Sequence, residues 1–269
     1  MKKLIVILLT LTMVVSLIGC GAKTSSDTSS AAVANTDSAY VIGKGKLVVG
    51  ITDFEPMDYK DASGKWIGFD ADMATAFAKS LGVEVEFVEI EWDYKATELQ
   101  NKNIDCVWNG MTLTDEVKAS MDCSVAYCDN AQVVVVPSDK AADYNTADAC
   151  KELKFAVENG SAGMEQAEAY GFTFTPVLTQ ADSLMEVASG SSDAAIIDNL
   201  MAAAMVGEGT SYANLTYTCA LNSEQYGVGF RQGSDLPEKL NAFFKAAYAD
   251  GSMKSCADTY GVTAMLIAQ

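Results

Sequence analysis

The stretch from Ile104 to Lys118 holds the side chains best suited to receiving a small ligand. An apolar run reaches Trp108, breaks into Asn109-Gly110, and continues through Met111, Thr112, Leu113 and Thr114. Thr114 has the form of a helix cap, with Asp115 and Glu116 in the first turn, where the helix dipole favours acids. A strand that ends in polar, close-approach residues ahead of a helix is how α/β folds present a small-ligand site, although an ordinary strand-to-helix turn has the same look. Two features narrow the chemistry. The chain has no histidine, which removes Ser-His-Asp and Cys-His catalysis and the usual zinc sites. Its single arginine is Arg231, so bidentate recognition of a carboxylate has one possible donor. Asp70-Ala71-Asp72 lacks the glycine and bidentate Glu of a calcium loop. No metal or other cofactor is expected.

Those residues need a frame, and the hydropathy pattern supplies one. Leu47-Val48-Val49 is a short apolar strand ending at Gly50, followed by a turn-rich segment containing Pro56. Apolar residues at Phe69, Met73, Ala76, Phe77 and Leu81 then recur at helical spacing, and Gly82 is the natural stop. Val83 to Val88 alternates as a half-buried strand does, and a helix over Asp93 to Gln100 leads to the strand at Ile104. The same order returns. A strand over Leu153 to Val157, the small-residue turn Asn159 to Gly163 and a helix over Met164 to Tyr170 lead to a strand over Phe172 to Leu178. A helix over Ala181 to Ser189, a strand from Ala194 ending at Asp198 and a helix over Asn199 to Val206 follow. Two β-α-β-α-β units imply an α/β fold of two parallel-stranded lobes. Gln132 to Val136 and the return Gln225 to Phe230 are the expected connections, and helices over Leu236 to Tyr248 and Met253 to Tyr260 close the chain. If the return re-enters the first sheet, the two crossing segments make a hinge and the cleft between lobes is the site. Lobe one is then residues 40–131 and 226–269, and lobe two residues 132–225.

The charge balance is strongly acidic, 18 Lys and Arg against 36 Asp and Glu, for a formal charge of -18. A phosphate-binding surface wants the opposite sign, so nucleic acid is not an expected partner. Met1-Lys2-Lys3 followed by apolar Leu4 to Ile18 reads as a secretory leader too short to span a membrane. It ends in Leu17-Ile18-Gly19-Cys20, which resembles the lipobox of bacterial lipoproteins. That resemblance implies removal of residues 1–19, a lipid such as palmitate on Cys20, and anchoring to the outer face of the cell membrane. Residues 20–39, rich in Ser, Thr, Ala and Asp, are expected to be a flexible tether, with the folded part beginning near Tyr40. Six further cysteines follow no disulfide framework and contain no C-x-x-C; Cys123 and Cys128 are close enough in sequence to be considered as a pair.

From Lys46 to Tyr260 the chain resembles the bacterial extracellular solute-binding proteins of the amino-acid class, with the type II periplasmic-binding fold, which feed ABC importers. The pieces that carry the likeness are Gly45 to Gly50, Gly68-Phe69-Asp70-Ala71-Asp72-Met73, Asn109 to Thr114, Gly160-Ser161, Asp193 to Asp198 and Tyr226 to Arg231. The resemblance implies a monomeric, non-enzymatic protein that closes around a small amino acid or polar amine and docks on a membrane permease. It also implies site residues. Phe54 and Trp92 would be aromatic walls and Asp53 a neighbour of the ligand amine. Asn109 and Gly110 belong to the shelf, Gly110 offering a carbonyl and Thr112 a hydroxyl and N–H. Ser161 to Gly163 would present free N–H groups to a carboxylate, and Asp198 would pair with an ammonium.

One departure stands out. Where the family pattern has an arginine that grips the α-carboxylate, three residues after the second Thr, this chain has Val117. Arg231 is expected on the lobe-one surface, Lys118 points about 100° around the helix, and Glu158 adds negative charge. Three readings stay open: a carboxylate held by backbone N–H groups alone, a lysine reaching in, or a ligand that is an amine or other cation without an α-carboxylate. Rival functions are a dehydratase-like enzyme using Asp53, Glu55, Glu158 or Asp198 as acid or base, and a sensor without a transporter.

Overall fold

A computed structural model of the chain describes residues 36–269. The leader, Cys20 and most of the linker expected over 20–39 lie outside them. Helix α1 (Asp37–Lys44) leads to strand β1 (Lys46–Ile51), the hairpin β2 (Tyr59–Lys60) and β3 (Trp66–Ile67), helix α2 (Phe69–Ser80) and β4 (Glu84–Glu89). A 3-10 turn (Trp92–Tyr94), α3 (Lys95–Gln100), β5 (Cys106–Thr112), α4 (Asp115–Ser120), β6 (Asp122–Cys123) and β7 (Cys128–Asn130) follow. The chain then crosses into β8 (Gln132–Pro137), β9 (Lys154–Glu158), α5 (Ala162–Tyr170), β10 (Thr173–Val177), α6 (Gln180–Ser189), β11 (Ala194–Asp198), α7 (Asn199–Met205) and β12 (Leu215–Ala220). It returns as β13 (Glu224–Phe230) and ends with α8 (Leu236–Ala249) and α9 (Ser252–Tyr260).

Two sheets result. One runs β4-β1-β5-β13-β6, with β7 also on β13; the other runs β10-β9-β11-β8-β12. Each is built the same way. Three parallel strands from a β-α-β-α-β unit are followed by an antiparallel strand that has crossed over from the other half: β13 beside β5, β8 beside β11. The strands flanked on both faces read as continuous apolar runs, as the buried Leu47 to Ile51 and Val133 to Val136 do. Amphipathic helices cover them. On α2, Phe69, Met73 and Phe77 recur four residues apart and all point into the core. Trp108 on β5 packs edge-on against Phe244 of α8, with ring centroids 5.5 Å apart, so the C-terminal helices belong to the first lobe.

The crossings sit side by side. Leu221 N–H donates to Gln132 O at 2.8 Å, and Asn222 Oδ1 accepts from Gln132 N–H at 2.7 Å. Glu224 and Gln225 pair with Asn130 and Asp129 of β7, so the return joins the first sheet before the boundary expected at residue 226.

The folded part also begins earlier than the composition implied. Thr36 caps α1 by accepting from Ala39 N–H, and Asp37 to Ala39, read as linker, form its first turn. Arg231 explains why. It is not on the lobe-one surface but 8% exposed, donating to Asp37 Oδ2 at 3.0 Å, Asp105 Oδ1 at 3.2 Å and Ile104 O at 2.6 Å. Lys44 meets the other oxygen of Asp105 at 2.6 Å. A fully buried Asp105 needs those cations, and satisfying it pins α1 to the sheet.

All six cysteines among the described residues are free thiols, Cys123 and Cys128 included. Among the described residues no helix is long and apolar enough to cross a membrane.

Candidate functional site

The carboxyl ends of the parallel strands in both sheets face one cavity, the place where open α/β sheets bind ligands. Lobe one contributes Thr52 and Phe54 after β1, Trp92, Asp93, Lys95 and Ala96 after β4, Asn109 to Thr112 at the end of β5, and Glu116, Val117 and Ser120 of α4 with Met121 just after it. Lobe two contributes Glu158, Gly160, Ser161 and Ala162 after β9, Glu165 of α5, Gln180 at the start of α6 and Asp198 at the end of β11.

The shelf at Asn109-Gly110 is held from behind. Asn109 Oδ1 accepts from Thr52 N–H at 3.0 Å and Thr52 Oγ1 at 2.7 Å, while its Nδ2 donates to Thr52 O at 3.0 Å and Asp58 Oδ2 at 2.8 Å. Its amide is therefore committed to fixing the neighbouring loop. Gly110 has φ +52°, and a Cβ there would lie 2.5 Å from Phe54 Cε1, so only glycine lets the ring close over the shelf. Its N–H donates to Asp70 Oδ2 at 2.6 Å, which also accepts from Tyr127 OH at 2.7 Å. Burial pushes the Asp70 carboxyl up to about 7, and burial together with Asp70 raises Asp58 well above the carboxylate range.

Phe54, 2% exposed, meets Tyr226 edge-on at 6.3 Å, and Trp92 stands on the same lobe. Extended backbone points alternate residues inward. Thr52 and Phe54 therefore line the cavity, and Asp53 between them is exposed and outside it, contrary to its expected place beside a ligand amine. Gly163 is likewise displaced from its expected role. A Cβ on it would come within 3.1 Å of Gln132 Oε1 and Ile196 O, so it serves the packing of α5 on the second sheet, and Ala162 takes the cavity position. Ser161 lines the cavity and also caps α5, accepting from Met164 N–H at 3.1 Å. The Thr112 hydroxyl donates to Glu224 Oε1 at 2.8 Å, toward the hinge.

Asp198 is 4% exposed and does not cap α7 with its side chain. It accepts from Tyr226 OH and Asn130 Nδ2, both at 2.6 Å, and from Gln180 Nε2, while Glu224 accepts from the same Asn130 Nδ2 at 2.7 Å. Burial first, then the charge of Glu224, pushes Asp198 up to about 7. Both crossing segments therefore meet at the acid that faces the cavity.

Two neighbours were not among the expected ligand contacts: Lys95, which the sequence left unassigned, and Glu158, expected only as added negative charge or as an acid or base. Lys95 reaches from lobe one to Gly160 O of lobe two at 2.9 Å, lies 5.0 Å from the centre of the Trp92 ring, and has its pKa lowered by burial. Glu158, 2% exposed, has an Oε1 with no hydrogen-bond partner; burial, reinforced by Asp198 and opposed by Lys95, pushes it up to about 8. Its place at the end of an apolar strand before Gly160-Ser161 was the available signal. Val117 stands with Trp92, Met111 and Met121 in one apolar cluster. Among the described residues, no group of three or more His, Cys, Asp and Glu is arranged to hold a metal ion.

The family of bacterial extracellular solute-binding proteins, family 3, matches residues 47–263. The chain belongs to that family. It is 28% identical over 264 residues, 94% of this chain and 96% of the relative, to the arginine-binding extracellular protein ArtP of Bacillus subtilis (strain 168). A mutant of ArgBP from T. maritima shares the fold with a TM-score of 0.78 at 30% identity, covering 83% of this chain and 98% of that one. The ancestral amino acid-binding protein AncCDT-1, a precursor of cyclohexadienyl dehydratase, gives 0.76 at 30% identity over the same shares. The two-lobed α/β architecture is thus that of family 3, with the cavity between lobes.

Proposed function

We propose that this protein captures a small solute bearing a protonated amine, an amino acid or related polar amine, in the interlobe cleft and delivers it unchanged to the permease of an ABC importer. The observation that carries this reading is Asp198. It is a buried acid at the mouth of a parallel strand, tied by Tyr226 and Asn130 to both crossing segments, so a cation that meets it acts on the hinge. The naming of ArtP as arginine-binding supports an amine-bearing solute. In this reading the ligand contacts are Phe54, Trp92, Gly110, Ser161 and Asp198, with Asn109 and Thr112 supporting them.

A thermal-shift panel of amino acids and amines tests it. Ligand at a hundred times its Kd stabilises the folded state by about 2.7 kcal/mol, which raises Tm by roughly 5–10 °C in a chain of this size. No shift from any member of the panel would overturn the reading.

The likeness of Leu17 to Cys20 to a lipobox supports a mature chain that begins at a lipid-bearing Cys20, tethered outside the cell membrane. Cys20→Ser should move the protein from the membrane fraction to the medium; continued membrane retention would count against the anchor. A dehydratase-like activity is the second reading, since Glu158 and Asp198, pushed up to about 8 and 7, suit proton transfer near neutrality. Recovery of every bound solute unaltered would exclude it.

A further inference from the structure

The cleft's charge and its unpartnered atom together define a narrower class of solute. Five acids line it, Asp93, Glu116, Glu158, Glu165 and Asp198, against the single cation Lys95. Lys95 is already committed, donating to Gly160 O at 2.9 Å and Trp92 O at 3.3 Å. Arg231 is locked between Asp37 and Asp105, away from the cavity. The surface at Val117, with Trp92, Met111 and Met121, is apolar. A carboxylate placed there would lose hydration and meet no cation, a cost that ionised groups do not tolerate. Of the N–H groups left to a carboxylate, those at the start of α5 are flanked by Glu158 and Glu165.

Opposite that apolar surface, Glu158 Oε1 is buried and makes no hydrogen bond. Native proteins satisfy the large majority of such atoms. Of the buried carboxyl oxygens left unpaired among the described residues, on Asp58, Asp70 and Glu158, the one on Glu158 belongs to a residue lining the cavity, where an ionised carboxylate calls for a cation. Asp198 differs, because three donors already hold it.

We propose that the solute is an amphipathic organic cation without a carboxylate, its ammonium on Glu158 beside Asp198 and its apolar body against Trp92, Met111, Val117 and Met121. The cationic end is held by lobe two and the apolar end by lobe one, so one molecule of this shape draws the lobes together. This deepens the reading of the cleft as a solute-binding site and rests on it.

Matched pairs that differ by one carboxylate test it directly: agmatine against arginine, tyramine against tyrosine, isoamylamine against leucine, each titrated calorimetrically into the lipid-free mature chain. In at least one pair the amine should bind at least tenfold more tightly than its amino acid. Glu158→Gln should weaken that amine at least tenfold, and Val117→Arg should shift the preference at least tenfold toward the amino acid. Amino acids that bind as well as or better than their amines in every binding pair would overturn the inference and leave the proposed function standing. An amine whose affinity is unchanged in Glu158→Gln, or a preference unmoved by Val117→Arg, would also overturn it. Binding by no member of any pair would overturn both.

Discussion

Truncating Asp198 to alanine should weaken solute binding at least a hundredfold and lower the free energy of unfolding by about 3 kcal/mol. The two effects have separate origins. Binding falls because the cavity loses an acid at the junction of both crossing segments. Stability falls because Tyr226 OH and Gln180 Nε2 are left as buried donors without their acceptor, each worth roughly 1–3 kcal/mol when stranded, while Asn130 Nδ2 keeps only Glu224. Tyr226 also braces Phe54 edge-on at 6.3 Å, so its release loosens the aromatic wall. Asp198→Asn keeps an acceptor oxygen and removes the charge. It should retain most of the stability and still lose about tenfold in affinity, since one charge-assisted contact is worth about 1.5–3 kcal/mol. Calorimetric titration beside urea unfolding reads both quantities. Unchanged affinity in Asp198→Ala would confine this residue to the hinge.

Stability and affinity should respond to pH in opposite directions. Glu158 at about 8, and Asp198 and Asp70 at about 7, all lie above the ordinary carboxylate range because burial penalises their charged forms. Between about pH 4 and pH 8 the folded chain then holds more protons than the unfolded one. The stability these groups contribute is fully present below the unfolded values near pH 4 and is lost as pH rises through 7 and 8. The melting temperature of the ligand-free protein should therefore be higher at pH 5.5 than at pH 8.5. A cationic solute reverses the sign at its own site, because it binds the ionised form of Glu158. Affinity should rise at least tenfold from pH 6 to pH 8.5, with close to one proton released per solute bound at about pH 6–7 and fewer above about pH 8, whereas an aliphatic amine keeps its own charge over that range. Titrations in buffers of different ionisation enthalpy count the proton. Affinity that stays flat, or falls with pH, would contradict an ionised Glu158 as the cation's partner.

The two-lobed plan was legible because it rests on long-range repetition: apolar strands of a few residues, helices at 3.6-residue spacing, glycine stops, and the whole order given twice. Phe54, Trp92, Gly110, Ser161 and Asp198 lie at the ends of those elements, and the ends of parallel strands converge by topology. What stayed illegible depends on side-chain direction and on contacts between distant segments. Asp53 and Phe54 are neighbours in sequence, and only the extended backbone after β1 decides which faces the cavity. Gly163 looked like part of a ligand turn, yet Gln132 and Ile196, far away in the chain, claim the space above it. Arg231 read as a surface residue because nothing near it in sequence shows that Asp37 and Asp105 come to meet it. The same pairing explains a helix where composition alone implied a linker. Lys95 carried no local signal at all, since its partner Gly160 O belongs to the other lobe.

In the cleft between the lobes, a protonated amine is what Asp198 and Glu158 are placed to hold. The most direct test is to isolate the protein in its native lipid-anchored form, release what it carries by denaturation, and identify that molecule by mass. One small compound per chain with at least one basic nitrogen should be released, and Asp198→Ala isolated in parallel should carry none. A released compound without a basic nitrogen, or equal loading of the Asp198→Ala chain, would contradict that assignment.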